Sequence, residues 1–131
     1  MSDSTPPYPA PQTPSPPAHL TSDERTYALL IHLSSFVFPL MGPLVLWLIN
    51  RGDSAYIDHH GKEAVNFHIT LLGTSLALFL FAAVTCGLGA IITVPAVLVL
   101  SVLDIVWTIV AAVRANEGVL WRYPYSMRLV T

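Results

Sequence analysis

The chain has 131 residues, of which 53% are apolar and only 11% charged, and its formal net charge is −2. Soluble domains carry roughly 25% charged residues, so too few charges are present to coat a water-facing surface, and a lipid bilayer is the expected solvent. The lack of any Lys- or Arg-rich run excludes a nucleic-acid partner, and a single cysteine, Cys86, excludes an intrachain disulfide or a cysteine-cluster zinc site.

Residues 1–21 are expected to form a disordered Pro-rich tail, ahead of a helical transmembrane domain over 22–131. Seven of the eleven prolines fall within residues 1–22, and proline removes backbone donors and fixes φ. Pro11 and Pro14 have the PxxP spacing that docks in SH3-like grooves. A peptide-binding partner for the tail is therefore weighed against the simpler reading of a solvated segment. No signal-peptide pattern opens the chain, so insertion is expected to be driven by the internal apolar segments.

Order is expected from "TSDERTYALLIHLSSFVF". Thr21 with Glu24 three positions later matches a capping box, and the helix should run over about 22–38. Pro39 and Pro43 then bracket Gly42 and break the helical pattern. A short apolar helix over about 43–51 follows, ending at Arg51 and Gly52. Residues 27–49 read either as one kinked span or as two shallower helices joined by a hairpin. The second reading requires protein to cover the turn's polar backbone.

Residues 53–63 are polar, with Asp53, Asp58, His59, His60, Lys62 and Glu63. Two firm spans are expected after them, over about 64–88 and 90–113, with the uncharged turn "TCGLG" between. The tail beyond carries Arg114, Trp121, Arg122 and Tyr123, an interfacial mixture of basic and aromatic residues. Arg51 and Lys62 lie before the first span and Arg114 and Arg122 after the second. These six residues are the expected interfacial anchors. By the positive-inside rule the C-terminus faces the cytoplasm, and the side of the N-terminal tail depends on the hairpin question. The fold class is thus all-α, a polytopic helical protein of the cell (inner) membrane.

Several polar residues stand out against this background. Glu63, Asn66, Thr70 and Thr74 share one helix face, and a polar stripe is costly in lipid, so it is expected to face a helix partner. His59 or His60 with Glu63 and Asp58 offers two or three metal ligands, but no second ligand cluster complements them, and the expectation is no metal and no cofactor. Asp104 lies near mid-span, where a carboxylate costs about 2.5–3.5 kcal/mol. His32 is roughly 12 Å and Asp104 roughly 15 Å from the same membrane face if the first helices form a hairpin. The expectation is that they meet as a buried polar pair, with His68 too shallow to compete. Gly73 and Ala77 have the small-xxx-small spacing of close helix packing.

The string "HLSSFVFPLMGPLVLWLINRGDSAYIDHHGKEAVNFHI" resembles a family of small bacterial multi-pass membrane proteins of unknown function. The resemblance rests on His32-Leu33-Ser34, Gly42-Pro43-Leu44, Trp47-Leu48, Asp58 to Phe67, Ala115-Asn116 with Gly118, and Arg122-Tyr123-Pro124. It covers about residues 23–129. That family is distantly similar to the twenty-kilodalton channel-type subunit of the chloroplast inner-envelope protein translocon. The resemblance implies a four-helix membrane domain, favours the hairpin, and implies no enzyme activity. His68 stands where a Gln-like residue is expected, and Val65 where Leu is. The expected function is a non-enzymatic scaffold or accessory subunit packed against other membrane-protein subunits or itself. The alternative is a transport or protein-conducting subunit working as an oligomer.

Overall fold

The computed structural model describes residues 19–131; the expected Pro-rich tail, with Pro11 and Pro14, lies outside them apart from its last positions. The described chain is all-helical. Its elements are α1 (Ser22–Leu33), a 3-10 turn (Ser34–Phe36), α2 (Met41–Asn50), α3 (Ala55–Val84) and α4 (Ala90–Asn116). Both α3 and α4 are long and apolar enough to cross a membrane.

Helix α1 starts as the sequence dictates. Glu24 N donates to Thr21 Oγ1 at 3.2 Å and Thr21 N donates to Glu24 Oε2 at 2.8 Å, which satisfies two otherwise orphaned donors. The helix stops at Leu33, five residues before the expected end at 38. Ser34 and Ser35 turn their hydroxyls back onto the Ile31 and His32 carbonyls, each at 2.7 Å. Such side-chain bonds compete with the helical ladder, and the chain tightens into the 3-10 turn. Helix α2 begins at Met41, ahead of Pro43, because the first turn of a helix needs no donor from proline.

The largest departure concerns α3. It begins at Ala55, nine residues before the expected 64, so the polar stretch 53–63 is not a loop but mostly helix. Ser54 caps it in extended conformation and accepts from Tyr56 N at 3.1 Å. Gly61, which weakens a helix reading, is required by packing: a Cβ at this position would overlap the Trp47 ring of α2. Trp47 Nε1 also donates to Asp58 Oδ1 at 2.8 Å. The α3–α4 turn closes on Cys86 and Gly87, both at positive φ (53° and 89°). Thr85 Oγ1 donates to the Phe81 carbonyl and accepts from Gly89 N, each at 2.8 Å, so the turn satisfies its own polar groups. Helix α4 runs three residues beyond the expected 113.

The helices divide into two unlike halves. α4 returns antiparallel to α3, with Tyr56 Oη donating to the Ala115 carbonyl at 2.6 Å and Thr93 Oγ1 to the Leu78 carbonyl at 2.9 Å. The near half, where α3 starts and α4 ends, is covered by α1, α2 and the C-terminal segment. The buried α3 residues all lie there, between Tyr56 and His68. Ala28, Tyr56 and Ala115 form one apolar cluster there, and Ile31, Ile57 and Ala64 another. In the far half large apolar residues such as Leu76, Phe79, Val84, Ile91 and Leu98 are exposed. The outer face of the α1–α2 hairpin, including Val37, Phe38 and Ile49, is exposed too. The 30 residues of α3 span about 45 Å, well beyond the ~30 Å of bilayer hydrocarbon. The surplus length forms the covered, polar-cored near half.

The contact between Gly61 and Trp47 yields a direct expectation. Gly61→Ala should push α2 off α3 and destabilise the protein by about 1–3 kcal/mol, read as a lowered thermal midpoint in detergent micelles with a red-shifted tryptophan emission. Gly52→Ala, beside which there is open space, should leave both unchanged.

Candidate functional site

Two histidines and a tyrosine organise the near half. Tyr123 Oη lies 2.9 Å from His32 Nδ1, His32 Nε2 lies 3.0 Å from His60 Nδ1, and His60 Nε2 lies 3.1 Å from the Val119 carbonyl. A carbonyl only accepts, so His60 carries its proton on Nε2. His60 Nδ1 then accepts from His32 Nε2, and His32 Nδ1 accepts from the Tyr123 hydroxyl. Each ring is a single tautomer and the chain of donors points one way. His32 and His60 are fully buried and Tyr123 nearly so. Burial, followed by the nearby imidazoles of His60, His68 and His59, holds the His32 ring well below the usual histidine value, so it is neutral. Burial likewise raises the Tyr123 phenol, which stays a donor. The Tyr123 ring stacks on Phe67 with centroids 4.1 Å apart.

The polar stripe has a partner, but it is not a helix. Glu63 Oε2 accepts from Tyr123 N at 3.1 Å. Asn66 Oδ1 accepts from the Leu129 and Val130 amides at 3.0 and 2.7 Å, and its Nδ2 donates to the Val130 carbonyl at 2.8 Å. Thr70 Oγ1 accepts from Met127 N at 2.9 Å. A chain without secondary structure leaves its amides and carbonyls unpaired, and residues 119–131 bring that need to the stripe. Thr74 is the exception: it is exposed and bonds only back to the Thr70 carbonyl at 2.8 Å. His59 adds a bond to the Trp121 carbonyl at 2.8 Å. His59 and His60, weighed as metal ligands, thus hold this C-terminal strap instead.

The expected pairing of His32 with Asp104 does not form. Asp104 Oδ1 lies 3.4 Å from His68 Nε2 and accepts from the Thr108 hydroxyl at 3.2 Å. The reason is the early start of α3. His68 is thirteen residues past Ala55, about 20 Å into the helix, and Asp104 is twelve residues from Asn116, about 18 Å, so these two share a depth. His32 is level with His60. The Thr108 hydroxyl also lies beside the Tyr123 phenol, which places the Asp104 pair directly below the histidine chain. Asp104 and His68 open onto a pocket of about 150 Å³ that the hairpin residue Pro39 helps to close.

The remaining expected residues are placed as follows. Tyr123 is core, not an interfacial anchor. Trp121 is half-buried and stacks on Trp107 with centroids 6.0 Å apart. Arg51 covers the Trp47 ring at 5.8 Å, Lys62 pairs with Asp58 at 2.6 Å, and Arg114 pairs with Glu117 at 3.2 Å; with exposed Arg122 they lie at the near end. Gly73 and Ala77 are exposed, with open space beside Gly73, so they pack against no helix among the described residues. Among the described residues no group of three or more His, Cys, Asp or Glu side chains converges as a metal centre.

A family model described as the magnetosome magnetite crystal formation protein family (MamF/MmsF) matches residues 23–130. The chain belongs to that family. No curated protein and no solved structure gives a match. The expectation of a small membrane-protein family agrees with this assignment, whereas the likeness to a translocon subunit finds no support in it.

Two outcomes are expected from the site. Asn66→Ala removes three bonds to the strap, so hydrogen exchange of the 127–130 amides should rise by at least about tenfold, since each lost bond is worth about 1 kcal/mol, while the helices stay protected. Unfolded histidine takes up a proton below about pH 6.5 and buried His32 does not, so the unfolded state gains protons and stability falls as pH drops below that value. The loss is up to about 1.4 kcal/mol per pH unit. It should show as a falling thermal midpoint between pH 7 and 5, and His32→Gln should flatten that slope.

Proposed function

We propose that the protein is a non-enzymatic accessory subunit of the magnetosome membrane that supports magnetite crystal formation. It crosses the bilayer with α3 and α4 and has the near half on the cytoplasmic side. Family membership over residues 23–130 carries this reading. The division of the molecule supports it: the far half presents mainly apolar side chains and a self-satisfied turn, while Arg51, Lys62, Arg114 and Arg122 gather at the other end. The α1–α2 hairpin then enters the bilayer from the cytoplasmic face and returns. Pro39, at its tip, lines the pocket between α3 and α4.

An accessory role is favoured over catalysis by what the polar side chains do. His32, His60, Tyr123, Glu63 and Asn66 are all engaged in holding the chain's own backbone or one another. The exposed apolar faces of the far half and of the hairpin, including Gly73 and Ala77, suit lipid and neighbouring membrane subunits or further copies of this chain. A protein-interaction role for the Pro-rich tail is compatible with this arrangement.

Topology is directly measurable, because Cys86 is the only cysteine and lies exposed in the far turn. A membrane-impermeant maleimide should label Cys86 from the side opposite the cytoplasm. In a Cys86→Ser background, Glu117→Cys should be labelled only from the cytoplasmic side. In a magnetite-forming host, deletion of the chain should alter crystal size or number. Unchanged crystals, with Cys86 and Glu117→Cys labelled from one side, would overturn the reading.

A further inference from the structure

We propose that the pocket between α3, α4 and the hairpin tip is a binding site for one first-row divalent metal cation, held by His68 Nε2 and the Asp104 carboxylate. The site goes beyond the accessory role and stands whether or not that role is correct.

His68 is 2% exposed. Its Nδ1 lies 2.8 Å from the Ala64 carbonyl, which only accepts, so Nδ1 carries the proton and Nε2 presents a lone pair. That nitrogen is buried without a hydrogen-bond partner, which is costly unless something occupies it. Metal-ligating histidines are held in this way, with the far ring N–H on a backbone carbonyl and the free lone pair on the ion. Asp104 is oriented similarly, by the Thr108 hydroxyl at 3.2 Å.

The separation of the two donors discriminates between occupants. His68 Nε2 and Asp104 Oδ1 are 3.4 Å apart, beyond the roughly 2.7–3.2 Å of an N–H···O hydrogen bond. Two ligand atoms each about 2.0–2.1 Å from a tetrahedral metal ion are about 3.3–3.4 Å apart. The gap therefore fits a shared cation better than a shared proton. An imidazole nitrogen with a carboxylate oxygen suits zinc, iron, cobalt or nickel and not calcium or magnesium.

The pocket has room for the rest of the coordination sphere. Its volume of about 150 Å³ exceeds the ~30 Å³ that each water occupies in the liquid, and the Ser75 and Ser101 side chains line it. Ser101 Oγ donates to the Val97 carbonyl at 2.9 Å, which leaves its oxygen lone pairs free. Two protein ligands with open positions describe an exchangeable site, unlike the closed four-ligand set of structural zinc. A dication also offsets the Asp104 charge, which is otherwise expensive at this membrane depth.

The test uses the full chain, purified without a histidine tag in detergent micelles at pH 7. Titration with Zn²⁺ by calorimetry is expected to give one tight site per chain, and Co²⁺ to give visible ligand-field absorption. His68→Gln and Asp104→Asn should each weaken binding by at least about tenfold, whereas His59→Gln, which touches the strap and not the pocket, should leave it unchanged. Asp104→Cys in a Cys86→Ser background guards against simple misfolding. It should still bind Co²⁺ and add a near-ultraviolet thiolate charge-transfer band. Equal Zn²⁺ binding by the wild type and the His68→Gln/Asp104→Asn double variant, or no cobalt–thiolate band in a monodisperse Asp104→Cys protein, would overturn the proposal and leave the pair holding a proton alone.

Discussion

The near half of the molecule depends on the one-way chain of hydrogen bonds from Tyr123 through His32 and His60 to the Val119 carbonyl. Two imidazoles buried without partners would each lose about 1–3 kcal/mol of stability, which a small membrane protein cannot absorb many times over. The chain of bonds resolves this by joining three separate parts of the sequence: α1, the start of α3, and the C-terminal segment. Because it ends on a carbonyl, which cannot pass a proton onward, the arrangement is a structural lock and not a proton wire. The same ending fixes both tautomers, so the core has one polar solution and not several.

From that lock the rest of the architecture follows. The strap cannot reach His32 without lying along α3, and there it meets Glu63, Asn66 and Thr70 at helical spacing, each matched to a backbone group. The hairpin packs on the start of α3 with the Trp47 side chain directly against Gly61. Beyond Thr70 the polar demand ceases and α3 and α4 continue as an uncovered apolar pair, joined by a turn that needs nothing from outside. Asp104 and His68 sit at the boundary between these regimes, below the lock and at the edge of the apolar pair.

What could be read from the sequence was local or compositional. The capping box of Thr21 and Glu24 is a three-residue relation, and it formed. The apolar stretches marked α3 and α4, and the isolation of Asp104 marked it as a residue needing a partner. The helix class and the break at Pro39 were legible for the same reason, while the choice of a hairpin over one kinked span rested on the family resemblance. What was lost came from starting the first span at residue 64: His59, His60 and Glu63 are polar because they face the strap, a segment some sixty positions away. That misplaced the start of α3 and with it every depth measured along the helix. His68 then appeared too shallow for Asp104, and His32 seemed to match it. The stripe was correctly seen to need cover, but nothing in a single sequence says that an irregular tail can supply it better than a helix.

The strap has a consequence for biosynthesis. Residues 119–131 leave the ribosome after all four helices, yet Tyr123 is the first donor of the polar lock. While the hairpin pairs are being handed to the bilayer, His32 and His60 have neither the Tyr123 hydroxyl nor the Val119 carbonyl. In the proposed topology, water at the cytoplasmic headgroups serves them in the interval. The near half therefore has to remain hydrated during insertion and close only afterwards, which explains why so polar a core lies at a membrane edge and not in its middle.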